Sequence, residues 1–153
     1  MPVEEHPKAK RLRITMCVLF VLNIVCLALP YAAVQEENTY RTMTAIQMIF
    51  GADANDGRFI KMALLSSLFL ILPLAGFLTA SFDKHRNIKC IVGFLSSVGG
   101  IVAIIYMIGP QYVSIGATLA LLLYIVSALC STMMFMTNLA IENESRENKD
   151  LKK

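Results

Sequence analysis

The chain has no Trp, and none of its four cysteines stands in a Cys-x-x-Cys spacing. Each absence removes a chemistry. Without Cys-x-x-Cys there is no site for thiol–disulfide exchange. Cys17, Cys26, Cys90 and Cys130 all fall inside or beside apolar blocks, so residues 34–57 have neither a disulfide framework nor zinc-ligand spacing. A Gly-rich phosphate loop, a His cluster and a nucleophile–His–acid motif are also missing. Charge is absent in a pattern: no Asp, Glu, Lys or Arg lies in the central part of any long apolar block, which argues against proton-coupled transport. The expectations are no catalytic residues, no metal site and no cofactor.

What is present is apolar length. Hydrophobic residues make up 56% of the 153. A helix rises about 1.5 Å per residue and the hydrocarbon core is roughly 30 Å thick, so a span needs about 20 apolar residues. Four blocks meet that length, at 14–33, 59–82, 88–108 and 113–139. They predict an all-α integral membrane protein: a four-transmembrane-helix up-down bundle over residues 14–141, with a long first outer loop at 34–57 bearing a short amphipathic element. Residues 1–13 form a basic tail, where Pro2 and Pro7 discourage an early helix, and 142–153 form a charged one. Span 1 exceeds a signal-peptide core, and the sequence at 30–33 is a poor cleavage site, so it reads as a retained anchor.

Eleven of the fourteen Lys and Arg residues fall on one side of the four-pass plan: before span 1, between spans 2 and 3, and after span 4. Only Arg41, Arg58 and Lys61 fall on the other. The positive-inside rule then puts both termini in the cytoplasm of a cell-membrane protein and residues 34–57 outside. The net charge of +3 is explained by orientation, and no nucleic-acid partner is expected.

Within the outer segment, Tyr40, Met43, Ile46, Ile49 and Phe50 share one half of a helical wheel, with Arg41, Thr44 and Met48 opposite. A short surface helix capped by Asn38 and stopped by Gly51 is the expectation, and those five residues form a candidate contact surface. The β-prone residues Thr39, Tyr40, Thr42 and Thr44 leave a strand open as the alternative. Asp53, Asn55, Asp56 and Gly57 lack EF-hand spacing and predict a turn.

Inside the spans, Asn23 is an amide that needs a partner, and Pro73 predicts a kink. Gly93 with Ser97, and Ser96 with Gly100, make two overlapping small-xxx-small pairs that Gly99 and Ala103 extend. They predict close approach of another helix. The tight Gly109-Pro110 connection and the short turn at 83–87 make spans 2, 3 and 4 successive antiparallel neighbours.

The order of segments resembles the claudin-like tetraspan architecture in topology alone. The Trp and paired-Cys signature of the first outer segment has no counterpart here, and no family follows from it. The small multidrug transporters match in size but depend on a carboxylate in the first span, and span 1 has none. The expected function is a non-enzymatic membrane interaction protein, an accessory subunit or self-associating scaffold, whose partners are the bilayer and a membrane protein or a second copy. The alternative is a small oligomeric channel or facilitator without proton coupling, whose polar path uses Asn23, Ser66, Ser67, Ser96, Ser97, Ser127, Ser131 and Thr132.

Overall fold

The computed structural model of the protein describes residues 7–36, 39–50, 65–82 and 86–150. The expected acidic turn at 53–57, the start of the second span, the turn at 83–85 and the outermost residues of both tails lie outside these. Asn38, the expected cap, lies outside them too.

The chain is mostly helical, in the order α1 (Pro7–Cys26), β1 (Pro30–Glu36), β2 (Thr39–Thr44), α2 (Ala45–Phe50), α3 (Leu68–Phe82), α4 (Arg86–Ile108), a 3₁₀ turn (Pro110–Tyr112) and α5 (Ile115–Asp150). Helix α1 starts at Pro7, seven residues before the first expected span. Pro does not oppose a helix at its first position, where its missing N–H would have no intrahelical partner. The helix then ends at Cys26, earlier than expected, and Pro30 to Ala33 belong to a strand.

Helices α4 and α5 each contain a stretch long and apolar enough to cross a membrane, Asn87–Ile108 and Ile115–Glu144. Helices α1 and α3 do not reach that length on their own. The apolar part of α1, from Ile14 to Cys26, is roughly 20 Å long. In α3 the helix runs only over Leu68–Phe82. Among the described residues, two candidate membrane-spanning helices are therefore present where the sequence suggested four.

The four long helices pack in a ring: α1 against α3 and α5, and α4 against α3 and α5. Buried positions recur at alternating spacings of three and four. On α5 they are Ala117, Ala120, Tyr124, Ser127, Ser131, Met134 and Asn138. On α3 they are Phe69, Pro73, Gly76 and Ala80. Such a seam repeats every seven residues and keeps one stripe facing its neighbours along a long helix.

Of the segment expected to lie outside, the described part forms two antiparallel strands and one helical piece, α2. Strands β1 and β2 pair antiparallel, from Glu36 opposite Thr39 to Pro30 opposite Thr44, with an irregularity between Pro30 and Ala32. The other edge of β1 is also engaged: Ala32 bridges to Val113, and the Ser114 N–H donates to the Tyr31 carbonyl at 3.0 Å. Where strand becomes helix, Thr44 and Gln47 form a reciprocal capping box. The Gln47 N–H donates to Thr44 Oγ1 at 3.2 Å, and the Thr44 N–H donates to Gln47 Oε1 at 3.0 Å. Two amide donors that α2 would leave unpaired are thereby satisfied.

The single amphipathic helix expected over residues 40–50 is thus a strand as far as Thr44 and a helix from Ala45. Side-chain period changes from two to 3.6 at that point. Met43 is buried although Tyr40 and Ile46, expected beside it, are exposed, and Met48, expected on the polar side, is fully buried.

Candidate helix-packing site

The small residues of α4 sit where neighbouring helices come closest. A side chain at Gly93 would meet Met16 of α1 and Ser131 of α5, and one at Gly100 would meet the Tyr124 ring. Gly99 faces Leu72 of α3 at 3.3 Å. Ser96 donates its hydroxyl to the Leu72 carbonyl, linking α4 to α3. Ser97 is buried and donates to the Gly93 carbonyl of its own helix at 2.8 Å. Ala103 is buried beside Ile104. Four of the six α4 residues singled out from sequence therefore meet neighbouring helices, Gly93 meeting α1 and α5, Ser96 and Gly99 meeting α3, and Gly100 meeting α5, while Ser97 bonds within α4.

Two further close approaches involve glycines that the sequence reading did not single out. Gly76 of α3 lies under the Phe20 ring, which a Cβ would meet at 2.5 Å. Gly116 at the start of α5 faces the Pro30 carbonyl, 2.7 Å from where its Cβ would stand. Each starts a small-xxx-small pair, Gly76 with Ala80 and Gly116 with Ala120, and that spacing is the signal. Gly109 has a different role. Its φ of +82° is accessible to Gly at little cost, and it turns the chain from α4 into the 3₁₀ segment.

The core of the ring is mainly apolar, but it also encloses polar side chains while large apolar ones lie outside. Asn23, Ser66, Ser96, Ser97, Ser127, Ser131 and Asn138 are buried, whereas Val18, Ile71, Leu95, Val102, Leu122 and Leu129 are exposed. A soluble monomer seldom exposes apolar faces of this extent, and lipid is a solvent in which the arrangement is favourable. Hydroxyls of the interior join helices. Ser131 of α5 donates to the Cys90 carbonyl of α4 at 2.6 Å, and the Asn138 amide donates to the Cys90 sulfur at 3.6 Å. Ser81 of α3 and Cys17 of α1 approach to 3.5 Å. Asn138 and Tyr124 complete this interior face, and the 3-4-7 spacing of Tyr124, Ser127, Ser131 and Asn138 in an apolar run is the sequence signal for them.

Asn23 is 1% exposed, and its amide nitrogen donates to the Leu19 carbonyl one turn back at 3.2 Å. Its Oδ1 has no hydrogen-bond partner among the described residues, and the same is true of Ser127 Oγ. Pro73 is buried within an unbroken α3 and has no N–H to give the Phe69 carbonyl.

On the outside of α4 and α5 lies an open groove of about 260 Å³, lined by Cys90, Ile91, Phe94, Leu95, Ser131, Thr132 and Phe135. Of the five residues expected to form an outer contact surface, Tyr40 and Phe50 are 75% and 77% exposed, Ile46 is exposed, Ile49 is half-buried and Met43 packs into the core.

The chain matches no protein-family model, no curated protein and no solved structure. Its class follows from polarity and helix lengths alone: a mostly helical protein with, among the described residues, two helices long and apolar enough to cross a membrane.

Proposed function

We propose that the protein is a four-pass membrane interaction protein, a non-enzymatic accessory subunit or self-associating scaffold, with α1 and α3 joining α4 and α5 as spans. One observation carries this reading: large apolar side chains lie exposed on all four long helices, while Asn23, Ser96, Ser97, Ser127, Ser131 and Asn138 are buried between them. The short spans are compatible with lipid, because a bilayer thins locally and flanking Lys and Arg side chains reach back to its surface. Lys8, Lys10, Arg11 and Arg13 stand in the first turns of α1, on the side that the positive-inside rule assigns to the cytoplasm. The hairpin and α2 then face outward, and exposed Tyr40, Ile46 and Phe50 are the contact residues.

Crosslinking of the full chain in membranes, followed by purification in mild detergent, tests this. A crosslinked homo-oligomer or a stoichiometric membrane partner is the expected outcome. A monomer that copurifies with nothing overturns it.

The small channel or facilitator is kept as the second reading because Asn23 Oδ1 and Ser127 Oγ are buried polar atoms with no hydrogen-bond partner among the described residues. Solute flux into proteoliposomes that disappears in Ser97→Leu and Asn23→Leu would favour it. Flux unchanged by both would remove these residues from any path.

A further inference from the structure

We propose that the centre of the helix ring is a binding site for a buried water, held between Asn23 Oδ1 of α1 and Ser127 Oγ of α5. The argument begins with helix register. Gly93 is level with Ser131 and Gly100 with Tyr124, a single antiparallel register of α4 and α5 in which Ser97 is level with Ser127. On α1, Met16 meets the same point as Ser131, while Leu29 and Pro30 meet Gly116. Asn23, midway between those contacts, is then level with the Tyr124 turn of α5.

Side chains on a helix lean toward its N-terminus. Because α1 and α5 are antiparallel, Asn23 leans toward Ser127 along the axis and Ser127 leans toward Asn23. The Asn23 amide does lean that way, since it bonds the Leu19 carbonyl. On α3, Phe20 lies on Gly76 and Ser96 bonds Leu72, which puts Pro73 in the same layer. Each long helix therefore contributes one polar or helix-weakening residue within about one helical turn: Asn23 and Pro73 at one level, Ser97 and Ser127 at the next, with Asn23 and Ser127 leaning toward each other.

The chemistry of the layer selects the occupant. Asn23 Oδ1 only accepts, Ser127 Oγ donates or accepts, and both are unpartnered and at least nine-tenths buried. A water satisfies both groups at once, and two to four polar partners are what buried waters have. A cation is disfavoured because the four residues of the layer bring no carboxylate to neutralise it. The water pins α1 to α5 at mid-height, a role that is the same whether the protein is a scaffold or a conduit.

The test uses the full chain in lipid nanodiscs. Thermal unfolding is measured for wild type, Asn23→Leu, Ser127→Ala and the double variant. A bridging water makes the two losses overlap, so the double variant should unfold close to the worse single one; shifts that simply add overturn the proposal. Density maps of wild type and Ser127→Ala provide the second measurement, which stands even if Asn23→Leu does not fold. A peak within hydrogen-bond distance of both Asn23 Oδ1 and Ser127 Oγ, lost in Ser127→Ala, is expected. A direct Asn23–Ser127 hydrogen bond, or a peak with cation coordination, overturns the proposal.

Discussion

Gly100 and Ser131 show how little room single residues have. The Tyr124 ring lies against the space a Gly100 side chain would need. Gly100→Ala should therefore destabilise by about 1–3 kcal/mol, the usual cost of overpacking, read as an earlier midpoint in thermal unfolding in detergent. Gly99→Ala is the control: its neighbour is the flexible end of Leu72, so a smaller loss is expected. Ser131→Ala leaves the Cys90 carbonyl without this donor and should cost about 1 kcal/mol by the same measurement. The small residues of α4 were legible in the sequence because small-xxx-small spacing has one dominant use in membrane helices. Gly76 and Gly116 carry the same spacing, with Ala80 and Ala120, but each pair stands alone, and the neighbour each glycine meets, Phe20 or Pro30, is distant in the chain.

At the scale of elements, the outer segment departs most from expectation. Residues 40–50 carry both β-prone and helix-periodic patterns, and the chain uses each in turn. The dividing point is the Thr44-x-x-Gln47 box, a helix-start signal present in the sequence but obscured by reading one period across the whole stretch. Thr44→Ala should remove a cap worth about 1 kcal/mol and raise amide hydrogen exchange across Ala45–Phe50 while leaving α4 protected. The early end of α1 has a similar origin. Hydropathy continues through Tyr31, Ala32 and Ala33, so composition alone extends the span, but those residues pair with β2 and the Val113 segment. Strand pairing across such a chain distance leaves no local mark.

For the whole molecule, the long apolar blocks were legible because bilayer thickness sets a length that composition shows directly. Where the helices start and stop inside those blocks was not. If all four helices cross a membrane with the hairpin outside, Tyr40→Cys should react with an impermeant maleimide on intact cells, and Glu144→Cys only after permeabilisation. Labelling of Glu144→Cys on intact cells would reverse or abolish the proposed topology. Helix α5, about 54 Å long, exceeds the hydrocarbon thickness and must tilt or extend beyond it.

The pairing of β1 with the segment before α5 bears on motion. It joins the end of α1 to the start of α5 through main-chain bonds, backed by the contact of Gly116 with Pro30. Like the sprung end of a clothes-peg, this end of the ring parts only if main-chain bonds break as well as side-chain packing.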